Sequence, residues 1–468
     1  MENKKEIGVS IGLGLLVLLS RLPFISIGFG SDADAWRVAN IAHLIADSGK
    51  YVLSRFPGFP FQEITYSFIY NGFGFNPLIF NGLTVLFSVA AVILFYLCLR
   101  ILEIKQAFLI SLTFAFVPVV YIASCGTLDA MWAACFIMAG FYAVLKKRFL
   151  LGGVFLGFAI GCRISSGLML IPLSFLMTDK DRFKNIIKFN LAALLTGLAL
   201  FIPVIDAYGL SFLRTYDSGY LPIILVLYNI IFGVWGVLGT IALAIILLLN
   251  FKHIKQFFKE KMYLNTSNGI FLVSLITVGL YLLLFFVHPH LSRYLVPAIP
   301  FFLIAFYYLL GKRSYVVLCV LLIVSSFILN FDKYYELTDT TGRSASLIEF
   351  SIGKNNVFID PVKGPIFYEN SRRENNLAVT ARILEFGQSV KEKSVVIIGW
   401  WMPLILVEQE RNTELKNPNI EYVYYPDENL MKEWQAKNIK VYYISDLKRF
   451  IKKMGNIDIE KEGAICIL

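Results

Sequence analysis

The sequence predicts an α-helical polytopic membrane protein with about 11 transmembrane helices and a small α/β domain at its C-terminal end. The 468 residues are 57% hydrophobic and only 16% charged, whereas a soluble protein carries about 25% charged residues. The mean hydropathy is +0.66. Several apolar runs reach the roughly 20 residues that a helix needs to cross a bilayer.

The apolar runs divide the chain into a membrane domain, residues 1–331, and a C-terminal domain, residues 332–468. Two neighbouring runs, 149–161 and 164–177, are each short for a span, and they form either a hairpin or one long tilted helix. The predicted helices are 7–27, 78–99, 107–124, 128–145, 149–161, 164–177, 187–206, 223–249, 269–287, 294–311 and 315–331.

The distribution of basic residues favours the hairpin. With the N-terminus inside and a hairpin at 149–177, most Lys and Arg of the membrane domain fall in cytoplasmic segments, as the positive-inside rule requires. The long loop 28–77 and the C-terminal domain then lie outside the cytoplasm, on a multi-pass protein of the cell membrane. The net charge of +10 is therefore interpreted as setting orientation, and a nucleic-acid partner has no support.

The C-terminal domain shows alternating strand and helix patterns. "SVVIIGWW" and "IKVYYIS" are typical of buried strands. "DENLMKEWQAKN" is typical of a helix between strands, and "SDLKRFIKKMG" of a closing helix capped by Ser445.

The first outer loop is too long to be a simple connector. "DAWRVANIAHLIADSG" places Trp36 on the apolar face of an amphipathic helix along the membrane surface, ended by Gly49. "SRFPGFPFQEITYSF" predicts a rigid turn at Pro57 and Gly58, then a second interfacial helix with Glu63 near its start.

Two acids, Asp32 and Asp34, stand where the first span ends, close to Arg37. Either they only mark the water boundary, or a carboxylate in a partly desolvated cleft acts as a general base. Asp129, in "SCGTLDAMW", is a second candidate acid, although an acid at a helix N-terminus is also favoured by the helix dipole alone.

Basic residues are expected in the same plane. Arg163 lies at the tip of the predicted hairpin, where an arginine at membrane depth is functional unless it reaches the interface. "FVHPHLSRYLVPAIP" adds His288, His290 and Arg293. The two histidines lack a nearby third metal ligand, so a site for an anionic headgroup is favoured. Acids facing Arg and His suit group transfer from a lipid-linked phosphate.

These motifs resemble the GT-C superfamily of integral-membrane glycosyltransferases, in particular its aminoarabinose transferase and protein O-mannosyltransferase branch. The resemblance covers about residues 7–331 and an outer C-terminal domain. "DAWRVANIAHLIADSGKY" matches the family's first-loop pattern with Asp34 at the acid and Ala35 where many members have Glu. "TLDAMW", "GGVFLGFAIGCRISSGLMLIP" and "RYLVPAIPFF" match three later segments.

The resemblance implies an inverting hexosyl- or pentosyltransferase that uses a polyprenyl-phosphate sugar and a lipid, glycan or protein acceptor. It implies Asp34 as general base, with Asp32 or Asp129 as helper. A divalent cation, Mg²⁺ or Mn²⁺, stays open, because some members use one and others do not. The implied donor-phosphate ligands are Arg163, Arg293, His290 and Arg55. Acceptor-binding or loop-shaping roles fall to Glu63, Trp36, Pro57 and Gly58.

Three alternatives remain. A transporter or flippase for a lipid-linked glycan usually has internal repeats, and none is visible. A polysaccharide polymerase or ligase usually has its large outer loop later in the chain. A receptor-like scaffold would use the C-terminal domain to bind a partner.

Overall fold

A computed structural model describes residues 2–178, 180–213, 221–261, 268–332, 346–352 and 355–444. Most of them are helical. The helices of the membrane part are α1 (Glu2–Arg21), α2 (Ala33–Ser48), α3 (Pro60–Phe73), α4 (Pro77–Ile101), α5 (Ala107–Phe116), α6 (Pro118–Ser124), α7 (Ala130–Leu145), α8 (Phe149–Cys162), α9 (Leu170–Phe175), α10 (Arg182–Tyr208), α11 (Ile223–Ile230), α12 (Phe232–Leu249), α13 (Phe251–Lys261), α14 (Asn268–Val287), α15 (Ile299–Leu309) and α16 (Lys312–Val324).

The described residues contain six helices that are long and apolar enough to cross a membrane, or seven if the bent pair α5–α6 is one span. The fold is therefore that of a multi-pass membrane protein. The count of about eleven stays a prediction, because it needs several shorter apolar helices to cross as well.

The chain reverses at Arg163, as the hairpin requires. Three glycines of α8, Gly153, Gly157 and Gly161, pack in that order against Phe189, Thr196 and Leu200 of α10. The residue numbers of the contacting pairs increase in the same direction along both helices, so α8 and α10 are parallel. The segment between them must therefore run in the opposite direction. It does so through a 3-10 helix, Ile164–Met169, and α9. One long helix over 149–177 would have made α8 and α10 antiparallel.

Several boundaries differ from the sequence prediction. The expected helix 223–249 is split at Ile231, and α12 is bent again at Gly236, whose φ is +71°. The expected helix 294–311 begins as a 3-10 helix, Ser292–Ala298, because Pro297 lacks the N–H of a regular α-turn. The amphipathic α13 was not anticipated, since its lysines were interpreted only as orientation signals.

The loop 28–77, predicted as the first outer loop, forms α2 and α3 near the predicted positions. Gly49 ends α2 with φ +65°, a left-handed cap that costs glycine little. The helix is more enclosed than a surface helix, because it packs against α3 and also under the C-terminal part of the chain. Trp36 is 1% exposed, and its Nε1 donates to Gly30 O at 2.9 Å.

The described residues of the C-terminal part contain six strands in two sheets: β1 (Asn330–Asp332), β2 (Ile348–Ile352), β3 (Asn355–Asp360), β4 (Ser394–Ile397), β5 (Ile420–Val423) and β6 (Lys440–Tyr443). The first sheet is antiparallel in the order β1-β3-β2, and the second is parallel in the order β5-β4-β6.

Over residues 355–444, this part also has three α-helices: α17 (Pro365–Ser389), α18 (Met402–Arg411) and α19 (Glu428–Ala436). β4, β6 and α19 lie within the segments predicted as two strands and a helix, whereas the closing helix expected after Ser445 lies outside the described residues. One hydrophobic core joins Trp36 and Trp132 of the membrane part to Val396 and Leu404. The boundary at 331/332 stays a prediction.

Candidate active site

The start of α2 places two carboxylates close together. Asp32 is the N-cap of α2, and its side chain accepts from the backbone N–H of Asp34 at 3.0 Å. A helix N-terminus favours negative charge and needs such an acceptor for its free N–H groups. This local requirement explains one acid, but it leaves the second, Asp34, to be satisfied by other side chains.

Three arginines surround Asp34. Arg37, one helical turn later, pairs with it through Nη1 at 2.9 Å, and Arg55 Nε lies 3.3 Å from its other oxygen. Arg293 donates to both Asp32 and Asp34. The side chain of Asp34 is 11% exposed and that of Asp32 31%. The first outer loop and the segment before α15 are thus joined by charge-assisted hydrogen bonds.

Asp129 extends this network inward. It precedes α7 and is completely buried. Arg55 Nη2 donates to its Oδ1 at 2.7 Å, and Arg163 Nε donates to its Oδ2 at 2.5 Å. Arg163 reaches this position because its backbone is extended at the reversal after α8, and its Nη1 also donates to Arg293 O at 3.2 Å.

The network carries an excess of positive charge. Three carboxylates face four guanidinium groups, since Arg37 and Arg55 share Asp34 with Arg293. The Nε of Arg293 is buried and has no hydrogen-bond partner among the described residues. A buried charged donor without an acceptor is costly. This arrangement suits an anion as the missing partner.

The arginines also control the acidity of Asp34. Burial raises the pKa of its carboxyl group, but Arg55, Arg293 and Arg37 together outweigh burial and lower the pKa to about 2. Asp34 is therefore a stable anion at neutral pH. A carboxylate with so low a pKa accepts a proton poorly, because an effective general base has a pKa nearer the working pH.

Glu63 holds the loop that carries Arg55. The buried carboxylate of Glu63 accepts from the Ser54 backbone N–H at 2.8 Å, from Ser54 Oγ at 2.5 Å, from Phe59 N at 3.0 Å and from the Tyr51 hydroxyl. Burial and the neighbouring Glu63 raise the pKa of Tyr51 well above its ordinary value. This satisfied carboxylate has no lone pair left for chemistry.

Pro57 and Gly58 complete the same loop. The Phe56–Pro57 peptide bond is cis, and Gly58 has φ +94°. A Cβ on Gly58 would lie 2.9 Å from the Tyr51 hydroxyl, so a larger residue would displace the tyrosine. The Gly58 N–H donates to Arg55 O at 2.8 Å. Arg55 also lies over the Phe59 ring at 4.0 Å, which fixes its direction.

A cavity of about 550 Å³ opens beside the network. Asp32, His290 and Arg293 line it, whereas Asp34, Asp129, Arg55 and Arg163 do not. Its volume is in the range of small-molecule sites. Of the predicted acids, Asp32 is therefore the one that a bound molecule would meet first.

His290, the second residue of the histidine pair, lines this cavity. Burial lowers the pKa of His290, and the neighbouring His288 lowers it further, so His290 is neutral near pH 7 and can still donate one hydrogen bond. The described residues contain no group of three His, Cys, Asp or Glu side chains close enough to hold a metal ion. Because Asp32, Asp34 and Asp129 are each paired with arginine, this donor set does not fit a divalent cation.

Sequence reasoning missed a whole wall of the cavity. Helix α17 and the turn after β4 contribute eight polar or aromatic side chains that had no assigned role. They are Tyr368, Glu369, Arg372, Arg373, Asn375, Asn376, Trp400 and Trp401. The available signal was "GWW" at the end of the segment predicted as a buried strand, because residues at the carboxyl ends of parallel strands gather at the ligand-binding edge of a sheet.

No family model matches this sequence, and no curated protein matches it either. The solved structures that resemble it include two of ArnT from Cupriavidus metallidurans. The structure bound to undecaprenyl phosphate has a TM-score of 0.54 at 13% identity and covers 96% of this chain and 91% of that chain. The apo structure has a TM-score of 0.44 at 14% identity and covers 69% of this chain and 60% of that one. The chain therefore has the fold of the aminoarabinose transferase ArnT, which confirms, at the level of the fold, its resemblance to the GT-C glycosyltransferases.

Proposed function

We propose that this protein is an inverting glycosyltransferase that moves a hexose or pentose from a polyprenyl phosphate to an acceptor hydroxyl at the outer face of the membrane. The observation that carries the proposal is Arg293, which pairs with Asp32 and Asp34 and keeps a buried Nε without a partner beside the cavity. The chain has a fold similar to that of ArnT, which has been solved bound to undecaprenyl phosphate, and this similarity supports a lipid phosphate as the ligand.

The phosphate of the donor binds Arg293 and His290 in this proposal. Both line the cavity, and Arg presents a planar fork of donors that suits phosphate. Arg163 and Arg55 act indirectly, because each pairs with the buried Asp129 and adds positive charge to the same network. The leaving phosphate is thus stabilised by fixed donors in a site of low dielectric constant.

Asp32 is proposed as the general base, in place of the Asp34 that the sequence pattern favours. It lines the cavity, whereas Asp34 does not and has a pKa of about 2. The Asp32 carboxylate accepts the proton of the acceptor hydroxyl while that oxygen attacks the anomeric carbon. The bond from this carbon to the phosphate oxygen breaks, its electron pair stays on oxygen, and polyprenyl phosphate leaves.

Asp34 and Asp129 are then positioning residues. Asp34 orients Arg293, and Asp129 orients Arg55 and Arg163. No step uses a metal ion, since the three carboxylates are engaged by arginine. The acceptor is a lipid, glycan or protein hydroxyl, and its identity does not enter these steps.

The decisive experiment gives purified protein a panel of undecaprenyl-phosphate hexoses and pentoses, one at a time, and measures free undecaprenyl phosphate. At least one donor should lose its sugar faster with wild type than with Asp32→Asn. If no donor is consumed in the presence of lipid, glycan and protein acceptors, the proposed function is wrong. A release rate that is equal in both proteins contradicts Asp32 as base.

The outer location of the site is part of the same proposal. The basic residues of the membrane domain favour an extracytoplasmic loop 28–77 and C-terminal domain. A phosphatase reporter fused after Leu468 should be active, and a cytoplasmic fluorescent reporter at the same point should not be. The reverse result would place the site in the cytoplasm.

A further inference from the structure

The cavity has two chemically different walls. One is charged and contains Asp32, His290 and Arg293. The other wall, from α17 and the turn Gly399–Trp401, combines the aromatic and amide side chains of Trp400, Trp401, Asn375 and Asn376 with the charged Glu369, Arg372 and Arg373. The proposed phosphate ligands account for the first wall only.

The turn after β4 has the position of a ligand-binding loop. β4 is the central strand of the parallel sheet β5-β4-β6, and Gly399–Trp401 follows its carboxyl end. In parallel sheets, ligands bind outside this edge. Tyr424, which follows the neighbouring strand β5, also points toward the membrane part, because its hydroxyl accepts from Arg37 Nη2 at 2.8 Å.

Trp401 supplies an independent sign of a ligand. Its side chain is 3% exposed, and its Nε1 is buried without a hydrogen-bond partner among the described residues. Buried indole N–H groups normally have a partner. Two residues that line the cavity, Arg293 and Trp401, therefore each have a buried donor without a partner among the described residues.

The second wall is held firmly next to the first one. Asn376 Nδ2 donates to the backbone oxygen of Ser31 at 3.0 Å, directly beside Asp32. One turn earlier on α17, the buried Arg373 donates to Phe24 O at 2.8 Å and to Cys125 O at 3.1 Å. These contacts tie α17 to the membrane part and bring its amide side chains to the proposed reaction centre.

We infer that Trp400, Trp401, Asn375 and Asn376 form the subsite for the sugar ring of the donor, an inference that rests on the proposed function. A hydroxyl-bearing ring offers acceptors to the Trp401 Nε1 and to the asparagine amides. Its C–H groups match the negative faces of the indole rings. The isoprenoid chain has no atoms that accept hydrogen bonds from these donors, and it fits the apolar stretch that α6 contributes to the cavity.

The chemistry favours the donor ring over a ring of the acceptor. A glycosyl phosphate joins its ring to the phosphate through a single oxygen, so the ring must lie immediately beside the phosphate ligands. Arg293 and His290 share the cavity with the aromatic wall. A phosphate bound at the first wall thus brings its ring to the second.

The test compares the binding of bare undecaprenyl phosphate with that of a panel of undecaprenyl-phosphate pentoses and hexoses to the full-length protein in detergent. Wild type should bind at least one sugar-bearing probe more tightly than the bare lipid. Trp401→Phe keeps an aromatic ring but removes the N–H, and it should reduce this preference about 3- to 10-fold. Its affinity for bare undecaprenyl phosphate should be unchanged.

Trp434→Phe is the matched control, because Trp434 is equally buried in α19 but does not line the cavity. It should keep the wild-type preference. If Trp401→Phe does not fold, Asn375→Ala replaces it, since Asn375 is only half-buried, and the same loss of preference is expected.

The outcomes separate the two proposals. Binding of bare lipid without any preference for a sugar-bearing probe, or a preference that survives both Trp401→Phe and Asn375→Ala, overturns the sugar subsite and leaves the phosphate site intact. If wild type binds neither the bare nor any sugar-bearing lipid, the proposed function is overturned and the subsite with it.

Discussion

Arg163 donates from Nε to the completely buried carboxylate of Asp129 at 2.5 Å, and this pair joins the reversal after α8 to the first turn of α7. The two residues are separated by 34 positions in the chain. Asp129 is at the same time the acceptor for Arg55 from the first outer loop. One buried carboxylate therefore connects three segments of the site.

Asp129→Asn should destabilise the protein strongly. The substitution leaves the buried Arg163 without its counter-charge and leaves Arg55 with Asp34 alone, and breaking a buried ion pair in this way costs about 3–5 kcal/mol. We expect a clear fall in the melting temperature in detergent together with loss of sugar transfer. Asp427→Asn is the control, because Asp427 caps the exposed start of α19 and asparagine caps equally well. Equal melting temperatures for both variants would contradict the buried network.

Asp32→Asn should mainly impair catalysis, whereas Asp34→Asn should mainly impair stability and donor binding. Asp32→Asn removes the proposed base from the cavity wall and should lower kcat by about 10²- to 10⁴-fold with little change in melting temperature. Asp34→Asn removes the partner of three arginines, so the melting temperature should fall and KM for the donor should rise. Steady-state kinetics of sugar transfer and thermal melting of both variants test this difference. A normal kcat in Asp32→Asn combined with an inactive, stable Asp34→Asn would return the base to Asp34.

The pKa of Asp34 predicts an acid-sensitive contribution to stability. The folded value is about 2, and the unfolded value is about 4. The folded state therefore binds the proton less readily, and the contribution is complete above about pH 4 and lost as the pH falls toward 2. Its full size is about 3 kcal/mol. The difference in melting temperature between wild type and Asp34→Asn should shrink between pH 5 and pH 2.5. A difference that does not change with pH would exclude this linkage.

Glu63→Gln should loosen the loop that carries Arg55. The carboxylate accepts from four donors, whereas a glutamine amide offers one acceptor oxygen and places N–H groups against the others. We expect faster hydrogen exchange over residues 51–59 and a several-fold weaker binding of undecaprenyl phosphate, with α19 unaffected as the internal reference. Unchanged exchange in the loop would show that Pro57 and Gly58 hold it without Glu63.

The local features of the site were accessible from the sequence. The acid at the start of α2, the glycine cap at Gly49 and the turn at Pro57 and Gly58 follow from requirements of single helix ends and turns. The reversal at Arg163 followed from the distribution of charges. Glu63 was identified, and its loop-shaping reading agrees with the four hydrogen bonds it accepts.

The different roles of the three acids could not be predicted from the sequence. Arg293 lies 261 positions from Asp32 and 259 from Asp34, so no spacing rule connects them. Asp32 and Asp34 look equivalent in a motif, yet one lines a cavity and the other is enclosed by three guanidinium groups. Only the packing of distant segments separates them.

By itself, the sequence determined that the chain crosses the membrane several times, where its first outer loop folds into helices, and which ionisable residues are too costly to bury without purpose. These properties depend on composition and on short-range periodicity. The tertiary structure decided which carboxylate meets the cavity, which arginines surround the other two, and that Trp400 and Trp401 form the opposite wall. Those contacts join segments hundreds of residues apart, and their energies exist only after the helices and the C-terminal sheet have packed together.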